Sequence, residues 1–425
     1  MHNAFKIGAL ALAGSLALAA CGGSSSGGGS SSSGGGGGKT LIISTDLPLQ
    51  GSSADASNAT NQAIELYLSQ IGNKAGDYTI KLQKYDDSTA AAGKWDQAQC
   101  TKNAQDHVAN ADEVAVMGTY NSGCAKIIVP VLNQDPNGPM LMVSNANTNP
   151  GLTKKWDPGE PDKYYPSGKR NYARVVTTDD NQGRAAAQFI AKDLQVKKCY
   201  ILNDNETYGL GVAQAFQDEA TKQGINILGN EAWDAKQPNY TALFQKIKGL
   251  GADCVYIGGI FDNNGGQLIK DKVAVLGDNT AVKLMGPDGF TGYPELNKLP
   301  EGQGMYLSFP GLTTPDLKAQ GGAAAKLLAD YNTKYGQDPA SSYALYGVAA
   351  VQVILQAISQ SDGTRASITN QVFSGSGIDI PADVSAIGKE IKIDPTTGDV
   401  NLKDMTIEVI KGNQETTLKA WPVEG

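Results

Sequence analysis

The sequence predicts an α/β protein of two lobes, each a doubly wound parallel sheet, and three observations carry that expectation. Short apolar stretches of strand character alternate with amphipathic helical stretches in two successive series. The loops between them are short and rich in glycine, asparagine and aspartate. The chain has 425 residues, and from Lys39 onward it exceeds what one hydrophobic core usually serves.

In the first series Thr40 to Thr45 reads as a buried strand, followed by a helix with Ala63, Ile64, Tyr67, Leu68 and Ile71 on one face. Tyr78 to Lys84 reads as a strand, Gln97 to Ala109 as a helix, Glu113 to Met117 as a strand. Lys126 to Asn133 then forms a helix and Pro139 to Val143 a fourth strand. The second series follows a crossing at Tyr172 to Val176. Its helices are expected at Arg184 to Leu194 and Val212 to Lys222, its strands at Cys199 to Leu202, Asn226 to Leu228, Asp253 to Ile257 and Lys283 to Met285. Repeated strand–helix alternation of this kind implies parallel sheets flanked by helices.

Residues 1–20 stand apart from the fold. Met1 to Lys6 is a short basic segment, and the apolar run Ile7 to Ala20 is too short to cross a bilayer as a helix. It ends in Leu18-Ala19-Ala20-Cys21, which resembles the lipobox of bacterial lipoproteins. That resemblance implies cleavage before Cys21 and acylation of its thiol. Gly22 to Gly38 is glycine and serine only, a flexible tether whose ends lie roughly 23 Å apart. The expectation is an extracytoplasmic body held at a membrane by lipid alone.

Composition narrows the function. A net charge of −8 argues against nucleic acid as a partner. Only Arg170, Arg174, Arg184 and Arg365 could grip phosphates or carboxylates by a bidentate fork. Cys100, Cys124, Cys199 and Cys254 remain after Cys21. Two disulfides are expected, Cys100–Cys124 and Cys199–Cys254, each contributing roughly 3–4 kcal/mol; the alternative is four buried thiols. No metal site is expected without a CxxC pair. His107 is the one histidine beyond His2, and it reads as a helix-surface residue. With no GxSxG, Walker A or HExxH segment, the chain does not read as an enzyme, and nothing implies a cofactor.

Ligands of doubly wound sheets bind beyond the carboxyl ends of the strands. There the chain places Asp46-Leu47-Pro48-Leu49-Gln50-Gly51, Gly118-Thr119-Tyr120-Asn121-Ser122, and Ser144-Asn145-Ala146-Asn147-Thr148-Asn149-Pro150. The second series supplies Asn203-Asp204-Asn205-Glu206-Thr207-Tyr208-Gly209, Gly258-Gly259-Ile260 and Gly286-Pro287-Asp288-Gly289. Hydroxyls, backbone amides and one or two acids around a cleft suit a small zwitterion. Taken as bare residues, Ser122 and Thr148 would equally serve as helix caps, and Asp288 as a turn residue.

In their order these segments resemble the leucine/isoleucine/valine-binding family, the type I periplasmic binding proteins of ABC importers, over nearly all of residues 39–425. The resemblance implies two lobes closing on a ligand, with three crossings near Gly151–Arg174, Pro300–Phe309 and Pro381–Ile391. The first lobe would hold residues 39–173 and 304–385, the second 174–303 and 386–425. It further implies that Ser122 and Thr148, helped by backbone groups of Ala146 and Asn147, hold the ligand α-carboxylate. Tyr208 would close over the ligand and Asp288 would take its α-ammonium. The sequence departs from the family pattern at Asp288, where glutamate is usual, and at Ala56 and Ile260, where aromatics are usual. The shorter Asp288 must sit nearer the ligand or act through water, and the smaller Ala56 enlarges the side-chain pocket. Leucine, isoleucine and valine lead, with bulkier amino acids, amides and aromatic carboxylates as alternatives. The partners implied are an ABC permease, or a membrane receptor if the protein is a sensor, and the chain would act as a monomer.

Overall fold

The strand Thr40–Leu47 is buried along almost its whole length, as a strand covered by helices on both faces must be. In the computed structural model, which describes residues 39–374 and 377–422, it is central to a six-stranded sheet. Its order is Lys74–Ala75, Tyr78–Asp86, Thr40–Leu47, Glu113–Gly118, Leu141–Ser144 and Tyr172–Arg174. All pairs are parallel except the short Lys74–Ala75 edge. Side chains alternate between two cores: Leu141 and Val143 enter one, Met142 the other.

The second sheet has seven strands in the order Asn226–Ala232, Lys198–Asn203, Cys254–Gly258, Lys283–Gly286, Tyr306–Phe309, Met405–Lys411 and Gln414–Trp421. Its first five are parallel, and the last two run antiparallel as a terminal hairpin. The helix Tyr343–Ser359 is apolar on every side and almost wholly buried, which fits a helix inside a core rather than on its surface. Gly347 lets it approach the helix Ala54–Gln70, because a Cβ there would meet the Thr60 methyl at 2.4 Å. Among the described residues no helix is long and apolar enough to cross a membrane. The leader, Cys21 and the tether lie outside the described residues.

Two domain boundaries differ from expectation. Tyr306–Phe309 pairs within the second sheet, parallel to Lys283–Gly286 and antiparallel to Met405–Lys411, so residues 304–309 belong to the second lobe. The return to the first lobe runs through Pro310 to Thr313; Phe309 marks the hinge, its ring entering the first-lobe core. The segment beginning at 386 stays with the first lobe. Ala386, Ile387, Ile391 and Ile393 join that core, Ile391–Lys392 pairs with Asp379–Ile380, and the Gly398 carbonyl accepts from Arg174 N–H at 3.0 Å. The last crossing therefore falls between Leu402 and Met405. An alternating apolar pattern says that a segment is a strand, but not which of two cores receives it.

The cysteines also divide. Cys100 and Cys124 form a disulfide between the helices Gln97–Ala109 and Ser122–Asn133. Cys199 and Cys254 are free, buried thiols, contrary to the expected second bridge. They face each other across neighbouring parallel strands with sulfurs 2.7 Å apart. Burial keeps the Cys199 thiol well above its usual ionisation range, so it is held as the unreactive thiol.

Candidate functional site

The loops at the carboxyl ends of both sheets meet in one cleft, and the lobes touch across it. Tyr343 at the start of a first-lobe helix donates to Asp288 Oδ2 of the second lobe at 2.7 Å. Ser53 donates through its N–H and hydroxyl to Asp262 at 3.0 and 2.8 Å. Asn149 Nδ2 donates to the Thr207 carbonyl at 3.3 Å. Lys94 of the first lobe pairs with Glu206 of the second.

Ser122 opens the helix Ser122–Asn133, and no side chain caps that helix. Its first-turn N–H groups therefore face the cleft side with the partial positive charge of a helix start. Ser122 Oγ accepts from Asn149 N–H at 3.3 Å. The backbone of Ala146 and Asn147 is arranged otherwise than expected. Both N–H groups donate to Ser144 Oγ, at 3.1 and 2.8 Å, and the Asn147 carbonyl accepts from Arg174 at 2.8 Å. Asn147 Nδ2 donates to the carbonyls of Thr119 and Tyr120. These two residues shape the loop, and their amide N–H groups are already committed. Arg174 is likewise structural: it is fully buried and also bonds Asn149 O, Thr153 Oγ1 and Asp399.

Thr148 points inward, fully buried, and its hydroxyl completes no hydrogen bond of good geometry. Beside it sits Asp179, the first residue of the helix Asp179–Lys192. Asp179 is 0% exposed, and neither carboxylate oxygen has a hydrogen-bond partner. Burial and the like charge of Asp288 push it well above the ordinary carboxylate range, only partly offset by the nearby Thr148 hydroxyl and Arg174.

From the second lobe, Tyr208 donates to Asp288 Oδ1 at 2.5 Å and accepts from Gly289 N–H at 3.1 Å. Asp288 is thus held by two tyrosine hydroxyls, one from each lobe. Burial still raises its pKa above the usual value, against the pull of Tyr208, Tyr343 and Gln182. Ile260 packs with Tyr208 and Val212, while its N–H donates to Asp204 at 3.0 Å. Asp204, another acid on these loops, ties Glu206, Ile260 and Asn263 together rather than facing a ligand.

The structure therefore brings Ser122, Thr148, Tyr208, Ile260 and Asp288 to one cleft. It adds four polar groups that the sequence did not single out: Tyr120 Oη, Asp179, Gln182 Oε1 and Tyr256 Oη, all buried without partners. Buried polar atoms are rarely left unpaired, so these groups are candidate contacts for a polar ligand. Two neighbouring carboxyls with raised pKa, one unpaired, can take up a proton or accept a cation with several donors. Hydroxyls at an uncapped helix start can hold an anion.

His107 is not on a surface. It is fully buried, with Nε2 3.0 Å from Asp46 and Nδ1 2.6 Å from Glu113, and lies beneath the first-lobe loops rather than in the cleft. One trio among the described residues has metal-ligand spacing, Asp87 with Cys100 and Cys124, but the two sulfurs are joined in the disulfide.

A family model described as periplasmic binding protein matches residues 46–407. A Leu/Ile/Val-binding protein of Rhizobium johnstonii is 28% identical over 347 residues, 80% of this chain and 84% of that protein. Among solved structures, a leucine-binding protein from Thermotoga maritima superposes with a TM-score of 0.73 at 19% identity, covering 90% of this chain and 98% of its own. A solute-binding protein of an ABC transporter from Rhodopseudomonas palustris, in complex with p-hydroxybenzoic acid, gives 0.74 at 17% identity, covering 91% and 98%.

Proposed function

The chain belongs to the periplasmic binding protein family, whose members bind solutes rather than transform them, and we propose that its solute is a free amino acid with an apolar side chain. It is an extracytoplasmic solute-binding component of an ABC importer. One observation carries the choice of solute: Asp179 is a buried carboxylate with no partner, facing a second acid, Asp288. An α-ammonium supplies the missing charge and three donors. Asp179 and Asp288 are its holders in this reading, joined by Thr148. The Thr148 hydroxyl lies beside Asp179 and so is assigned to the ammonium rather than, as the resemblance implies, to the carboxylate. Ser122 and the uncapped start of its helix hold the α-carboxylate, and Tyr208 and Ile260 border the side chain. A ligand with a carboxylate alone, such as a hydroxybenzoate, would leave the two acids opposed.

The leader reading completes the proposal. Cys21 is acylated, the glycine–serine tether frees the body from the membrane, and the protein works as a monomer that hands its ligand to a permease. Palmitate labelling abolished in Cys21→Ala checks the anchor.

Calorimetric titration of the refolded mature protein tests the solute. Leucine, isoleucine or valine should bind one to one. Asp179→Asn should weaken binding about 10- to 150-fold, the worth of a charge-assisted hydrogen bond of about 1.5–3 kcal/mol. Tighter binding of 4-hydroxybenzoate than of any amino acid, unchanged or strengthened by Asp179→Asn, would replace the amino acid with an aromatic acid.

A further inference from the structure

Trp95 ends a two-residue strand, Lys94–Trp95, paired antiparallel with Ser88–Thr89. This hairpin is anchored to the first lobe at both ends. Gln50 N–H donates to Ser88 Oγ at 2.9 Å, and Asp96 N–H to the Asp87 carbonyl at 2.8 Å. Immediately after Trp95, the Asp96 side chain caps the helix Gln97–Ala109 by accepting from Ala98 and Gln99. The benzo edge of the indole so presented comes against Gly123, next to Ser122: a Cβ added at Gly123 would come within 2.6 Å of the ring. On its other side it packs against Tyr208, Val212 and Ile260 of the second lobe. Its Nε1–H donates to Glu206 at 3.0 Å, and its neighbour Lys94 bonds both Glu206 and Asn263.

We propose that Trp95 is the lid of the cleft and the residue that sets how large a ligand side chain the closed protein accepts. It bridges Gly123, beside the carboxylate-holding Ser122 of one lobe, to Tyr208 and Ile260, which border the side chain, on the other, so it spans the cleft from one end of the site to the other. An indole is rigid, with an apolar body and one polar edge. Here the body meets Val212 and Ile260, and the edge is fixed by Glu206. Contacts made only when the lobes meet stabilise the closed state alone, so Trp95 and Lys94 contribute to affinity as well as to selectivity. Gly123 is glycine because the ring occupies the place of a side chain.

The proposal rests on reading the cleft as an amino acid site, and its test separates the two. The mature chain, Trp95→Ala and Trp95→Phe are titrated with leucine, valine, phenylalanine and benzoate, after thermal melts establish that each is folded. Trp95→Ala should lose at least tenfold for the ligand the unsubstituted protein binds most tightly, and the order of affinities should move toward phenylalanine. Trp95→Phe should fall between the two, and it carries the comparison if Trp95→Ala does not fold. Unchanged affinities and unchanged order in a folded variant overturn the lid. Binding of benzoate in place of amino acids overturns the solute reading, and the lid is then scored on benzoate by the same comparison.

Discussion

His107 sits between two buried carboxylates, and that position ties folding to pH. Burial by itself would lower its pKa, but the bonds to Asp46 and Glu113 outweigh it and hold the folded value at about 9, against 6.5 when exposed. A raised folded pKa stabilises fully below pH 6.5, and the contribution disappears as pH rises through 9. The shift corresponds to about 3 kcal/mol. Denaturant unfolding of the unsubstituted protein should show this decline between pH 6.5 and 9, and His107→Gln should not. The sequence placed His107 on a surface because its partners are invisible locally: Asp46 is 61 positions away. Asp179 was overlooked for a related reason. Acids at helix starts are ordinary, and only burial without a partner sets this one apart. Ser122, Thr148, Tyr208 and Asp288 were legible because strand-end loops of a doubly wound sheet face the ligand whatever the details of packing. With Asp179 and Asp288 both raised by burial, leucine affinity should fall on acidification at a higher pH than ordinary carboxylates would cause. Titrations across pH 4 to 8 would check this.

The element scale links the Cys100–Cys124 bridge to the site. The disulfide fastens the helix Gln97–Ala109, which follows Trp95, to the helix that begins with Ser122. Closing a loop of 24 residues restrains the unfolded chain by about 3 kcal/mol in the chain-entropy account. Cys100→Ala with Cys124→Ala should lower stability by about that amount and weaken ligand binding, because the uncapped helix start loses its brace. An unchanged affinity in the double variant would confine the bridge to stability. Alkylation of the denatured protein without reductant should label Cys199 and Cys254 and leave Cys100 and Cys124 unlabelled. Most elements could be read from apolar periodicity, since a strand buried on both faces and an amphipathic helix differ in period. The crossings could not. Tyr306–Phe309 and Ile391–Lys392 are strand-like in sequence, yet one joins the second sheet and the other packs on the first-lobe core; only tertiary pairing decides between them.

At the scale of the whole molecule, the cross-lobe bonds define the state that a ligand must favour. Tyr343 to Asp288, Ser53 to Asp262 and Lys94 to Glu206 exist only with the lobes together. Asp179 and Asp288 both belong to the second lobe. In the closed form both are buried, with Tyr343 of the first lobe on Asp288. Without ligand, taking two like charges out of water works against closing. A bound ammonium supplies the opposite charge and offsets that cost. Ligand therefore shifts the population toward closure by its difference in affinity for the two states, and by no more. X-ray scattering should show the mature protein contracting on saturation with leucine. Asp179→Asn removes one of the two charges that closure buries, together with most of the ammonium attraction, so it should already be more compact without ligand and contract less on adding it. Lys94→Met should act in the opposite sense, larger without ligand and more weakly bound, and the partly exposed Lys94–Glu206 ion pair should make closure of the unsubstituted protein sensitive to salt. If Asp179→Asn and the unsubstituted protein show the same radius with and without leucine, the burial of these two acids does not control the opening of the lobes.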